Sequence, residues 1–365
     1  MTMRHYSWPV SPYSAKTRSY LHYQGIEFDD IPPTVWQLYR RIQGAVGRMI
    51  MPTVELEDGT WLQDSSNIID HFEARDDTVS ITPPTAGPTV ASSLLEVFSD
   101  EWLPMADLHY RWNLPENASF AIRDFAAHGL PRVPGPVGRR LIRPIAKRMA
   151  GYLPVLGVTE HTIPGLEQTV ATVIAAAEAT LSTRPFLFGG RPSLGDFSLY
   201  GPLWAHLYRD PASRYLFDAA PSVVDWMDRL TEGATPTGPF EPEVPGSLDP
   251  LFQIILDDQL SWNRTLIAAI DAYCEEHPDA TRVPRALGVA PFHMGGRHGE
   301  RKLITFVQWK AQRTRDTYEA SAGSADAWLR RLSDLPVDEI IPRVRNPFDR
   351  VAFKEVLRQS TEVSP

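Results

Sequence analysis

At 365 residues, with 43% hydrophobic residues and a formal net charge of −9, the chain can bury real cores, and its length implies two or three domains. The acidic balance offers no general attraction to phosphate backbones, so nucleic acid is not an expected partner. Cys274 is the single cysteine, which excludes an intramolecular disulfide and a cysteine-built zinc cage. The first residues show no signal-peptide pattern and no stretch approaches the length of a membrane span, so the expectation is a cytoplasmic protein.

In chain order, Met3 to Trp8 reads as a short strand ended by Pro9. Ser11 opens a helix with Pro12 in its first turn and Gly25 just past its end. Ile26 to Ile31 partly alternates and reads as a second strand, and Pro32 to Gly47 as an irregular helical connection. Thr53 to Glu57 alternates cleanly, Asp58-Gly59 is a strong hairpin turn, and Thr60 to Gln63 returns as the partner strand. Ser65 or Ser66 caps a helix with Ile68, Ile69 and Phe72 on one face. The first block is thus β-α-β-α-β-β-α.

Thr82 to Pro88 is a linker by composition, and helical patterns follow over Val90–Leu103 and Leu166–Leu181. Between them, the prolines, glycines and arginines of Leu130–Leu156 read as a long mobile or lid-like connection. Ser193 and Asp196 have the spacing of reciprocal helix-capping residues, and Ser222 to Leu230 forms a further short helix. Gly233 to Pro250 marks a second boundary. Beyond it come a helix from Asp249-Pro250 to Cys274, a hairpin tipped by Gly295-Gly296 and renewed helical patterns through Phe306, Trp309, Tyr318 and Trp328. His293, Met294 and His298 near that tip lack the carboxylate and histidine spacing of a metal site, so no metal is expected.

With Pro52 opening the third strand, the first block has the order of a thioredoxin-like domain. Ser11-Pro12-Tyr13-Ser14 ahead of a helix, Met51-Pro52 before a strand, Asp64-Ser65 opening the next helix and Ser193-Leu194-Gly195-Asp196 farther on all occur in order. Together they make the chain resemble a cytosolic glutathione transferase of the serine or cysteine type over about its first 230 residues. The expected fold is α+β overall: a thioredoxin-like α/β domain over 1–80, an all-helical domain over 88–235 and a mostly helical extension over 236–365.

That resemblance implies a cis bond before Pro52, with the Met51 backbone pairing the cysteinyl unit of glutathione. It also implies Asp64 on the γ-glutamyl amine, and Ser65 with its helix N-terminus on the carboxylate. Ser11 matches the catalytic position, where a hydroxyl at a helix start favours thiolate over thiol. Tyr6 and Ser14 are alternative hydroxyls. Tyr13, Tyr110 and Trp112 are candidate apolar walls for the second substrate. The absence of cysteine at both Ser11 and Ser14 argues against dithiol exchange, which needs a protein thiolate. The expected activity joins glutathione, as cosubstrate, to a small hydrophobic electrophile by conjugation, thiolysis or isomerisation, in a homodimer. A binding or assembly module without turnover is the competing expectation.

Overall fold

The computed structural model describes residues 2–358. Four short strands form one mixed sheet in the order β2-β1-β3-β4, with β1 Arg4–Tyr6, β2 Asp29–Ile31, β3 Thr53–Glu55 and β4 Trp61–Gln63. β1 and β2 are parallel, as the intervening helix α1 (Pro12–Tyr23) requires, whereas β1–β3 and β3–β4 are antiparallel. Gly59, at φ 85°, supplies the left-handed turn that returns the chain from β3 to β4. α2 (Ser65–Glu73) then packs on the sheet through Ile68, Ile69 and Phe72, completing the element order read from the sequence.

The helical block begins with α3 (Ala86–Glu101). α4 (Pro104–Asn113), α5 (Pro115–Gly129), α6 (Gly135–Ala150), α7 (Ile163–Leu181), α8 (Leu194–Pro202) and α9 (Pro221–Thr231) follow. Ser193 and Asp196 cap α8 reciprocally: Asp196 Oδ2 accepts from the Ser193 amide at 2.9 Å, and Ser193 Oγ accepts from the Asp196 amide at 3.3 Å. The other carboxylate oxygen of Asp196 takes the Leu187 amide and the Trp226 indole N–H, so this cap also fixes the turn before α8 and the helix α9.

The stretch 130–156 is not the mobile connection that its prolines suggest. It is largely the helix α6, with Gly138, Ile142 and Ala146 buried at four-residue intervals and its arginines exposed. Pro136 lies in the first turn, where its missing N–H leaves no bond unmade.

The extension consists of α10 (Ser261–Glu276), reached through a helical lead-in from Asp249, then the hairpin β5 (Ala286–Met294) and β6 (Arg297–Ile304). α11 (Phe306–Ala320), α12 (Asp326–Leu332) and the hairpin β7 (Phe348–Val351) and β8 (Lys354–Leu357) complete it. Its apolar residues do not form a core of their own. Leu251, Phe252, Trp262, Phe292, Trp309 and Leu329 belong to the same buried cluster as Val54, Ile68, Phe98, Phe197 and Trp226. At the β5–β6 tip, Gly295 lies so close to Gly165 of α7 that a Cβ there would stand 2.4 Å from the Gly165 carbonyl oxygen. The tip is further clasped by Asp258, whose carboxylate accepts the Gly295 amide at 2.8 Å.

A shared core makes the extension a cooperative part of the molecule. Leu329→Ala, at a fully buried site, is expected to lower stability by about 2–5 kcal/mol. Urea unfolding followed by tryptophan fluorescence and by limited proteolysis of residues beyond 245 should then show one coincident transition. Early release of the extension would contradict a common core.

Candidate functional site

Three turns of the first domain converge on one cavity. The N-terminus of α1 is capped by Ser11, whose φ of −96° and ψ of 120° leave it outside the helix while its Oγ accepts the Ser14 amide at 3.3 Å. The Met51-Pro52 bond at the entry to β3 is cis. Asp64 rather than Ser65 caps α2, accepting the Ser66 amide at 2.9 Å, and does so at φ 84°. A non-glycine residue in that region costs of order 1–3 kcal/mol and persists only where its surroundings hold it.

Those surroundings come largely from the extension. Lys310 of α11 places its Nζ 3.2 Å from Asp64 Oδ1 and 2.9 Å from Asp100 Oδ2, and donates to Ser66 Oγ at 2.5 Å. Arg350 of β7 lies 3.6 Å from Asp64 Oδ2 and donates to the Gln63 side chain. From the other side, Lys16 of α1 donates to Glu96 at 2.8 Å and to Asp100 at 2.9 Å. Arg313, one turn beyond Lys310, forms a bidentate pair with Asp70 and stands 3.5 Å from Glu96. The cluster therefore pins α1, α2, α3 and the extension together in a buried region.

Between these layers lies a cavity of about 450 Å³, within the range of pockets that take small molecules. Its floor includes Met51, Pro52, Asp64 and Ser65; its apolar walls include Tyr13, Ile50, Phe306 and Phe348. Arg48, Arg282, Arg285, Lys310, Arg350 and Lys354 face three carboxylates, Asp64, Glu101 and Glu355, which leaves the cavity with a surplus of positive charge. Burial alone would raise the Asp64 carboxyl, but the charges of Lys310, Arg350 and Lys16 outweigh it and hold Asp64 ionised below the usual range. Burial likewise opposes the Lys310 charge, and Asp100, Asp64 and Glu96 overcome it, raising Lys310. Glu101 differs. Burial pushes it up to about 8, against the pull of Lys310, so at neutral pH this cavity wall carries a proton that it can donate.

The residues singled out in the sequence divide into two groups. Met51, Pro52, Asp64, Ser65 and Tyr13 line the cavity, whereas Tyr6, Ser11, Ser14, Tyr110 and Trp112 are not among its lining residues. Tyr6 is buried in a second apolar cluster with Trp8, Ile42 and Phe125: its ring stacks on Trp61 at 5.4 Å and its hydroxyl donates to Glu55 at 2.9 Å. The Tyr13 hydroxyl donates to the Asp100 carbonyl at 2.8 Å, leaving its ring as the part offered to a ligand. Ser14 is buried, with no partner for its Oγ among the described residues. Tyr110 lies in the main core, and Trp112 packs edge-on against Phe125. Of the expected aromatic walls Tyr13 alone lines the cavity, and the extension adds Phe306 and Phe348 beside it. Ser11 stays at the rim of α1, partly exposed, and its O–H meets no acceptor among the described residues.

Lys310, Arg350 and Glu101 were not legible as site residues. Lys310 and Arg350 carry no local motif, and only the folding back of the extension brings them to Asp64. Among the described residues, no group of three or more histidine, cysteine, aspartate or glutamate side chains is arranged to hold a metal. No helix among them is long and apolar enough to cross a membrane.

Two protein-family models match the chain: "Glutathione S-transferase, N-terminal domain" over residues 6–80 and "Glutathione S-transferase, C-terminal domain" over residues 160–229. No curated protein matches. Among solved structures, the chain is similar to the β-etherase LigF from Sphingobium sp. strain SYK-6, at 17% identity and TM-score 0.43, covering 69% of this chain and 99% of that one. It is also similar to FzlA from C. crescentus, at 16% identity and TM-score 0.41, covering 71% and 93%. A third is the glutathione S-transferase from Methylobacillus flagellatus KT with glutathione bound, at 14% identity and TM-score 0.39, covering 64% and 99%.

The raised Glu101 fixes a pH dependence. An acid whose pKa is higher folded than unfolded binds more protons when folded, so stability falls as pH rises from about 5 through about 8. Glu101→Gln removes that proton. Compared with wild type in urea melts, the variant should differ least at pH 5 and be increasingly the more stable of the two up to pH 8. A difference independent of pH would contradict the protonated Glu101.

Proposed function

We propose, for a chain that belongs to the glutathione S-transferase family through its two matched domains, that the cavity binds glutathione and presents its thiolate to a hydrophobic electrophile. The observation that carries this reading is the convergence of cis Met51-Pro52, Asp64-Ser65 and the start of α1 on one cavity of suitable size. In this reading the Met51 backbone pairs with the cysteinyl unit, and Ser65 and the N-terminus of α2 take the γ-glutamyl carboxylate. Ser11 donates its unengaged O–H to the sulfur.

Free cysteine thiols ionise near pH 8.5, so most of the tripeptide arrives protonated at neutral pH. A hydroxyl donor, the positive end of α1 and the cationic surplus of the cavity all stabilise S⁻ over S–H, with the proton released to water. Sulfur then attacks the electrophilic carbon. A carbon–sulfur bond forms, and in a displacement the bond to the leaving group breaks, with its electron pair departing on that group. Glu101, protonated at neutral pH, can supply the leaving group with a proton. Phe306 and Phe348 give the electrophile an apolar wall.

The rival reading, a binding or assembly module without turnover, draws on the Lys310–Asp64 pair, which occupies the carboxylate that the resemblance leaves for the ligand's amine. Calorimetry with glutathione separates the two, since absence of binding at millimolar concentrations would remove the enzymatic reading. Where binding is seen, Ser11→Ala should lower the ultraviolet absorbance of bound thiolate at neutral pH. It should also cut turnover of a chromogenic electrophile by about ten- to a hundredfold, the loss of one hydrogen bond to a charged group. Unchanged thiolate absorbance in the variant would remove Ser11 from the role.

A further inference from the structure

An α-ammonium group needs a free carboxylate, and in this cavity the obvious one is taken. Asp64 meets Lys310 at 3.2 Å and Arg350 at 3.6 Å, with Lys310 buried and the other two side chains largely covered. Lys310 is not a loose surface residue that a ligand could brush aside. Its Nζ is also held by Ser66 and Asp100, and its helix is fastened to α3 by a buried contact between Ser93 and Thr314. An incoming ammonium group would therefore face two cations already paired to its acceptor.

The same arrangement favours the opposite charge. Arg350 keeps two buried nitrogens, Nε and Nη1, with no hydrogen-bond partner among the described residues, and its nearest carboxylates there lie at 3.6 and 3.8 Å. Arg285 and Lys354 line the cavity without a side-chain carboxylate partner among the described residues, while Arg48 has only a 3.4 Å contact to Glu355. Ser65, at the first turn of α2, adds a hydroxyl on the same floor.

We infer that the extension converts the amine subsite of this cavity into an anion-selective one, so that its ligands are thiols recognised through their carboxylates and an α-amine contributes nothing to their binding. Lys310 fills the place of the ligand's ammonium group at Asp64, and Arg350 with Ser65 receives carboxylate oxygens. The substrate class is a polyanionic thiol: a cysteinyl peptide bearing two carboxylates, with or without a free amine. This inference rests on glutathione binding in the cavity.

Calorimetry on the full chain with two ligands tests it: glutathione and its deaminated analogue, glutaryl-cysteinyl-glycine, which differ only in the α-amine. The expected result is that the analogue binds at least as tightly as glutathione, and that Lys310→Met shifts the preference by tenfold or more towards glutathione by freeing Asp64 for the amine. Wild type binding glutathione more than tenfold tighter than the analogue would overturn the inference and leave the glutathione reading intact. Binding of neither ligand would overturn both. Should Lys310→Met fail to fold, the wild-type comparison alone decides, because it needs no variant.

Discussion

Two carboxylates one turn apart on the same buried helix, Glu96 and Asp100, set the constraint on which the rest of this structure depends. Both side chains are almost fully buried. Charged groups in such a place cost several kcal/mol each unless they are paired and hydrogen-bonded. Lys16 reaches them from α1 of the first domain, and Lys310 reaches Asp100 from α11 of the extension. The pairing therefore ties the first domain, the helical domain and the extension into a single arrangement, and the continuous apolar core around it does the same through packing.

The consequence for the site is geometric. A thioredoxin-like domain ends its strands and starts its helices on one face, and here that face is covered from 304 to 310 and from 348 to 355. The cover brings cations towards the first turn of α2 and apolar rings towards Tyr13. The chemistry follows from that composition: a cavity with more positive than negative charge stabilises thiolates and carboxylates, and its apolar wall stabilises an uncharged second reactant. The strained backbone of Asp64 belongs to the same logic, since its carboxylate is held by two residues far away in sequence.

Local signals carried most of the first domain into view. The cap at Ser11, the Asp58-Gly59 turn and the Ser193–Asp196 pair each involve residues a few positions apart, and each forms as its spacing requires. The glycine-tipped hairpin of the extension was legible for the same reason. The β7–β8 hairpin was not, because its turn places Ala352 and Phe353 at positive φ, without the glycine or asparagine that announces such a turn. α6 was missed for two reasons: Pro136 sits in its first turn, where it leaves no bond unmade, and Pro144, which the pattern reads as a break, is carried inside the helix. The partners of Asp64 were invisible for a different reason. They lie 246 and 286 residues downstream, and charge pairing over that separation leaves no pattern in sequence.

Hydrogen–deuterium exchange with and without glutathione tests most directly whether the extension is a structural part of the binding cavity. Joint protection of the peptides covering 304–310 and 348–355 along with those covering 50–52 and 64–66 is the expected result. Protection confined to the first domain, or faster exchange in the extension on adding ligand, would contradict it, because the cover would then be displaced rather than used.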